Sequence, residues 1–242
     1  MERHIVIAGQ CRAGTTLFYN MMRHTLQNFT QPAREVPALS CLGLPGNYLT
    51  KRPLDIFEIP RILETNPMGK RIDLIVSLRD PRDVLTSRHK SVPDDYFCHA
   101  DRHWFVAEGQ PRSLTNPGFL PTHEAIARIA TSGIFKQGVF LLRYEDLIAD
   151  PERMQARLAS DLDLEFEGRF SDFHQAAIPD ALSRALNGVR PVEHRARPKW
   201  MEPEHHERIR DQFTRYPELF DILIALGYED DHSWFDAFRA AA

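Results

Sequence analysis

Several absences narrow this sequence before any residue in it is singled out. No stretch is long and apolar enough to cross a bilayer, which takes about 20 consecutive apolar residues. Cysteine is scarce: Cys11, Cys41 and Cys98 are odd in number and lack metal-ligand spacing, which argues against a cysteine metal site and fits a reducing compartment. There is no excess of positive charge, since 30 Lys and Arg against 34 Asp and Glu leave a formal charge of −4. No bulk basic field therefore recruits nucleic acid or a membrane surface, and any polyanion has to be held by a local cluster. No internal repeat, heptad or low-complexity tract is present. No positively charged segment with an apolar stretch precedes the first apolar run, so the expectation is a cytoplasmic protein without a membrane span. At 242 residues the chain is long enough to form one large α/β domain, 1–242.

One further absence, a lysine, is more pointed. His4 to Phe18 reads HIVIAGQCRAGTTLF. Ile5 to Ala8 form a short apolar run bounded by glycine, the pattern of a strand buried on both faces. Gly9 and Gly14 bracket four residues, and Leu17, Phe18, Met21 and Met22 then recur at helical spacing. Strand, glycine loop and helix start are the layout of a phosphate cradle. First-turn amides lack partners inside a helix, and the helix dipole makes that end positive. The G-x-x-x-x-G spacing matches a nucleotide-triphosphate P-loop, but such a loop continues with Lys and Ser/Thr, whereas Thr15 and Thr16 follow here. Arg12 is the cation of this loop. The bland alternative is a strand-to-helix turn that binds nothing; two threonines and an arginine at one turn favour an anion.

Beyond the first helix, Thr30 to Pro53 is broken by proline and glycine and reads as mostly loop or short turns. Glu35 and Lys51 stand out in it, each readable as an ordinary solvated residue; loops after the first strand of an open α/β sheet lie at its carboxyl edge, where ligands bind. Pro53 to Leu63 reads as a helix. Arg71 to Asp80 contains a second buried strand and ends in Arg79-Asp80-Pro81-Arg82-Asp83. Pro81 begins a helix that continues through Ser87 and Arg88, so Arg79 and Ser87 form a second anion candidate, with a surface salt-bridge cluster as the alternative. Residues 91–122 are long, irregular and aromatic, and read as a loop covering a site. His99 and His103 have helical spacing but no evident third ligand, so no metal site is expected. His123 to Phe135 reads as a helix and Gly138 to Arg143 as a third strand. Asp150-Pro151-Glu152 caps another helix. Phe166 to Leu186 is helical in pieces. Residues 187–200 concentrate Arg190, Arg195, Arg197 and Lys199 in an otherwise acidic protein. Pro203 to Tyr228 reads as one or two helices, with Trp234 to Phe238 docking an apolar face.

In order and spacing these stretches resemble the sulfotransferases that use 3′-phosphoadenosine-5′-phosphosulfate (PAPS), over most of the chain. Arg12-Ala13-Gly14-Thr15-Thr16 is similar to that family's 5′-phosphosulfate loop, and Arg79 through Ser87 to its 3′-phosphate element. Phe140 to Pro151 (FLLRYEDLIADP) is similar to its third-strand segment, and the Gly227-Tyr228 ending recurs there. In layout the resemblance is closest to the tyrosylprotein branch and similar bacterial enzymes. Glu35 stands where that branch carries its base. Lys51-Arg52-Pro53 is similar to its lysine, acidic residue and proline, with arginine in the middle. The cytosolic small-molecule branch would place a base histidine at position 53, which is proline here. Arg190-Pro191-Val192 and Trp200 are similar to the branch's Lys-Pro-Val and downstream Trp. The chain departs from the pattern at Ala13, where the loop usually has serine, and at Ser91, where the 3′-phosphate element has arginine.

The resemblance implies a three-layer α/β/α fold with a central parallel sheet, P-loop NTPase-like, and transfer of a sulfonyl group from PAPS to a hydroxyl or amine, leaving 3′-phosphoadenosine-5′-phosphate (PAP). Glu35 would be the base, Lys51 would neutralise the sulfonyl oxygens, and Arg12 with Ala13, Gly14, Thr15 and Thr16 would hold the 5′-phosphosulfate. Arg79, Ser87 and Arg190, the last in a cofactor-binding loop 187–200, would bind the 3′-phosphate, and Tyr144 is a further nucleotide contact. No metal is required. The acceptor, whether carbohydrate, peptide, lipid or small natural product, is left open, as is the oligomeric state. So is whether His89, His99 or His103 replaces Glu35. The rivals are a P-loop kinase or NTPase lacking its Walker lysine, and a non-catalytic nucleotide-binding relative.

Overall fold

The structure, a computed structural model, describes residues 1–87, 104–106, 114–136, 138–186, 188–192 and 198–240. Its first strand, β1 (Arg3–Gly9), has Ile5, Val6, Ile7 and Ala8 completely buried, as the unbroken apolar run requires when both sheet faces are covered. The helix α1 (Thr15–Thr25) follows. A short strand β2 (Tyr48–Lys51) comes next, then a 3-10 turn Pro53–Phe57, the helix α2 (Ile59–Thr65) and the strand β3 (Arg71–Leu78). The chain continues through α3 (Pro81–Leu85), β4 (Trp104–Val106), β5 (Leu114–Asn116), α4 (Phe119–Thr131) and β6 (Phe140–Arg143). Then follow α5 (Tyr144–Ala149), α6 (Pro151–Leu162), a 3-10 turn Phe170–Gln175, α7 (Asp180–Ala185), α8 (His206–Arg215), α9 (Glu218–Ala225) and α10 (Ser233–Ala240).

These elements form two compact units: Met1–Leu78 with Ala125–His194, and Arg79–Glu124 with Arg195–Ala242. The first contains a parallel sheet in the order β2-β1-β3-β6. Ile5 and Ile7 of β1 and Ile75 of β3 share one apolar cluster with Phe18, Met21 and Met22 of α1 and Met154, Leu158 and Leu162 of α6. Val6, Ala8, Leu74 and Val76, pointing the other way, are buried as well. All four strands run the same way, so Gly9, Lys51, Leu78 and Arg143 end at one edge, with Lys51 two residues below the end of β1 in register with Ile7. β1 is followed in sequence by its neighbour on one side and then by β3 on the other, which makes the carboxyl ends of β1 and β3 a topological switch point, where open α/β sheets bind ligands. Gly9 admits no side chain there: at φ 120 a Cβ would lie 2.6 Å from the Ser77 carbonyl oxygen.

The second unit has its own apolar cluster, formed by Val84, Leu85, Phe119, Trp200, Ile209, Phe213, Leu219 and Leu223 with Phe235 and Phe238 of α10. The pair β4-β5 is antiparallel. Most of the stretch read as a covering loop, 91–122, lies outside the described residues, as do His89, His99, His103, Arg195 and Arg197.

Three local expectations are corrected. Residues 48–51 form a strand rather than loop; only four residues long, at the sheet edge and hemmed by Gly46 and Pro53, it is too short to show a period. Pro53 to Leu63 is a 3-10 turn followed by α2, not one helix, and the Glu58 amide bonds back to Asp55 where the turn closes. The helix begun by Pro81 ends at Leu85, and Ser87 lies beyond it, its amide bonding back three residues to Val84 instead of four while the Thr86 hydroxyl turns back to the Arg82 carbonyl. No helix among the described residues is long and apolar enough to cross a membrane.

Candidate active site

Between β1 and α1 the backbone takes two left-handed steps, Arg12 at φ 65 and Gly14 at φ 74. Such a φ is uncommon outside glycine, and a strained loop of this kind gathers at ligand sites. Gly14 is the N-cap of α1 and, having no side chain, caps none of the first-turn amides. The helix therefore presents its donors and the positive end of its dipole to an external anion. A Cβ on Gly14 would come within 2.3 Å of the Tyr144 ring, so that ring, at the start of α5 just after β6, lies directly against the loop. Ala13 and Thr15 are buried and Thr16 is partly so. With no side-chain cap and no room for a Cβ, the loop fits an anionic group held by backbone amides.

Lys51 ends β2 with its side chain 5% exposed, and its ammonium forms an ion pair with Glu35 Oε2, whose side chain is 46% exposed. Two charges sixteen residues apart in sequence are thus brought together from the loop region after α1. The Cys11 thiol reports on the same neighbourhood. Burial pushes it up to about 11, Glu35 adds to the rise, and Lys51 and Arg12 pull the other way. Arg12, Lys51 and Glu35 therefore act on one point inside the glycine loop. Cys11 itself stays a thiol, and so a poor nucleophile.

Asp55, which the sequence reading did not single out, is part of this arrangement. It lies in the turn after β2, 1% exposed, and its Oδ2 accepts the Ala38 amide at 2.8 Å while Arg52 Nη1 is 3.4 Å from Oδ1. Burial pushes its carboxyl up to about 6, helped by Glu35 and Glu58 and opposed by the Ala38 amide and Arg52. On the far side of the same strand, His4 Nε2 bonds to Thr50 Oγ1 at 2.8 Å. Burial and then the Lys70 charge push His4 down to about 4.

The two shifts work in opposite directions. His4 contributes stability above its unfolded value of 6.5 that is lost as pH falls toward 4; Asp55 contributes stability below 3.8 that is lost as pH rises through about 6. Asp55→Asn removes the cost of a buried charge and keeps an oxygen for Ala38. It is expected to be more stable than the native protein at pH 7.5 by about 1–2 kcal/mol, and to lose stability more steeply on acidification, when only the His4 loss remains. Urea midpoints at pH 7.5 and pH 5 check this; equal midpoints at pH 7.5 would assign Asp55 an ordinary carboxylate.

In the second unit, the two arginines of Arg79-Asp80-Pro81-Arg82-Asp83 have separate fates. Arg82 is buried, its guanidinium 4.0 Å from the Trp200 ring centre and 4.6 Å from that of Trp234, bonded to Asp80 at 2.7 Å and paired with Glu229. It holds that unit together. Arg79 is partly exposed, with Nη2 3.2 Å from Asp83 Oδ2. Ser87 is buried, Asp83 accepts the Trp200 amide, and Trp200 packs in the core. Arg190, in the first unit, is exposed. Among the described residues one group could hold a metal ion: Glu202, Glu204 and His205 in the second unit, with ligand atoms within 4.8 Å of one another.

No protein-family model and no curated protein matches the chain. Among solved structures, the chain is similar over 100% of its length to 90% of mouse sulfotransferase SULT7A1, a structure complexed with PAP, at TM-score 0.54 and 11% identity. It also matches the sulfotransferase domain of the curacin biosynthetic pathway, at TM-score 0.48, 13% identity and coverage of 89% and 97% of the two chains. A third match is the sulfotransferase domain of the Synechococcus PCC 7002 olefin synthase, at TM-score 0.43, 12% identity and coverage of 88% and 94%. The full-length match to the mouse enzyme, together with the central parallel sheet and its flanking helices, shows that the chain has the three-layer α/β/α, P-loop-like fold of a sulfotransferase.

Proposed function

We propose that the protein is a sulfotransferase that moves a sulfonyl group from PAPS to a hydroxyl or amine, with Glu35 as base and Lys51 and Arg12 as the charge-stabilising groups. The observation that carries this reading is the pairing of Glu35 with the buried Lys51 beside a glycine loop whose N-cap glycine caps no helix amide, with Arg12 as its cation and Thr15 where a nucleotide-triphosphate loop has its lysine. A P-loop kinase would carry a Walker lysine at position 15, which is threonine here.

The donor supplies an activated S–O bond, which breaks as the acceptor oxygen or nitrogen bonds to sulfur, the electron pair leaving on the 5′-phosphate. Glu35 takes the acceptor proton; its exposed half faces solvent, from which an acceptor can approach, and its other side is held by Lys51. Lys51 offers its charge to the sulfonyl oxygens and holds the Glu35 carboxylate in place through their ion pair. Arg12 and the amides of Gly14, Thr15 and Thr16 hold the 5′-phosphate and the bridging oxygen, an electrostatic contribution worth ~3 kcal/mol per donor. Tyr144, already against the loop, borders the nucleotide. Arg79, Ser87 and Arg190 are assigned to the 3′-phosphate, a role for which the arginine fork is suited.

Calorimetry with PAP against ATP and magnesium tests the donor class. PAP is expected to bind and ATP with magnesium to bind far more weakly; the reverse order would sink the sulfotransferase reading. Arg12→Ala is expected to weaken PAP binding by about 10²-fold, from the loss of one charge-assisted contact to phosphate. An unchanged affinity in that variant would remove Arg12 from the site.

A further inference from the structure

Glu35 sits on a segment with no regular structure until the 3-10 turn Ala38–Ser40, and nothing in sequence explains why it should keep a fixed place. Its position relative to Lys51 depends on how that segment is tied down. Lys51 is held by the β1–β2 ladder, and the Arg52 amide extends the ladder to Ile7 at 3.0 Å. Glu35 itself is in no ladder. Before it, Thr30 bridges to Tyr48 and the Tyr19 hydroxyl donates to the Pro32 carbonyl; after it the tie is a buried one, the amide of Ala38, first residue of the 3-10 turn and itself fully buried, donating to Asp55. Pro37, just before it, has no amide to donate, and no side chain of the turn caps its own first residue.

We infer that Asp55 is a positioning residue, its carboxylate anchoring the Glu35 segment to the turn that leaves Lys51 and so setting the separation of base and lysine. The inference rests on the reading of Glu35 as base. Asp55 is well made for this task. It is four residues beyond Lys51, in a turn begun by a buried proline, so it moves with the strand end rather than with the loop. It touches no reacting group; the charges facing it are Arg52 from its own turn, Glu58 from the residue joining that turn to α2, and Glu35 from the segment it anchors. A buried amide left without an acceptor is costly, so removing the carboxylate frees Ala38 to move outward and carry Glu35 with it. The geometry of a proton-transfer pair tolerates little such movement.

Two variants with the same branched shape and number of side-chain heavy atoms separate anchoring from packing. Asp55→Asn keeps an oxygen for the Ala38 amide, and Asp55→Leu does not. Asp55→Asn is expected to keep kcat within about threefold of native. Asp55→Leu is expected to lose at least tenfold in kcat, with donor KM and PAP affinity unchanged and with faster hydrogen exchange at the Ala38 amide. Glu35→Gln, assayed in parallel, tells the two readings apart. If Glu35→Gln is inactive while the Asn and Leu variants turn over equally, the anchoring role is overturned and Glu35 stands as base. If Glu35→Gln turns over normally, the catalytic purpose of the anchor falls with the base. Unchanged Ala38 exchange in Asp55→Leu also overturns the proposal, independently of any activity.

Discussion

Glu35→Gln is expected to lower turnover by about 10²–10⁴-fold, the usual worth of a positioned general base, while leaving PAP affinity close to native. The substitution is nearly isosteric and its amide oxygen can still accept from Lys51, so the segment keeps its place and only the capacity to take a proton is lost. Glu35 is 46% exposed, and the pair's loss of charge attraction is correspondingly modest in stability. Single-turnover assays with labelled donor over a panel of acceptors, alongside calorimetry with PAP, separate chemistry from binding. Near-native turnover would remove Glu35 as base and move the search to His89, His99 and His103.

The second large effect concerns Lys51→Met. Methionine fills much the same space as the lysine stem, and the position is 5% exposed, so the edge of the sheet should pack as before. What disappears is a cation in a place with little water, where each fixed charge aimed at developing negative charge matters far more than in solvent. Turnover is expected to fall by about 10²–10³-fold. Ground-state binding of PAP should change only a few-fold, because PAP lacks the sulfonyl group that Lys51 serves. A loss confined to PAP affinity, with kcat unchanged, would mean that Lys51 binds nucleotide phosphate instead. Applying both substitutions together is informative as well. If the two residues act on one transition state, the double variant should lose less than the product of the single losses.

How much was legible beforehand differs from element to element. β1, its loop and α1 could be read directly: an unbroken apolar run, two glycines and a return to helical period are local signals. β3 and β6 were legible for the same reason, and so was the helix at Pro151, where Asp150 caps as its spacing predicts; Asp80 caps α3 in the same way. β2 was not. Four residues at a sheet edge carry too little pattern, and the strand exists because β1 offers it a ladder. The end of α3 was missed because Thr86 and Ser87 fit a continuing helix well enough, until the Thr86 side chain bonds back to Arg82. Asp55 gave no warning in sequence, since an aspartate after a proline turn is commonplace and only its burial and its bond to Ala38 set it apart.

The amino-acid sequence alone determined the fold class of this protein and its strand, glycine loop and helix start. Periodicity, glycine placement and the missing lysine are properties of neighbouring residues, and short-range sterics and helix electrostatics translate them into structure without help from the rest of the chain. Which charges would work together was decided only by tertiary structure. Without the family resemblance Glu35 and Lys51 each admit a solvated-loop reading, and they become an ion pair because parallel ladder pairing carries Lys51 to the carboxyl edge beside Ile7 while a buried bond to Asp55 holds the other segment in reach. Of the two arginines after β3, Arg82 is absorbed into its unit's core by two tryptophan rings and two carboxylates, whereas Arg79 is left partly exposed. Burial and partner choice depend on residues far apart in the chain, and no local pattern encodes them.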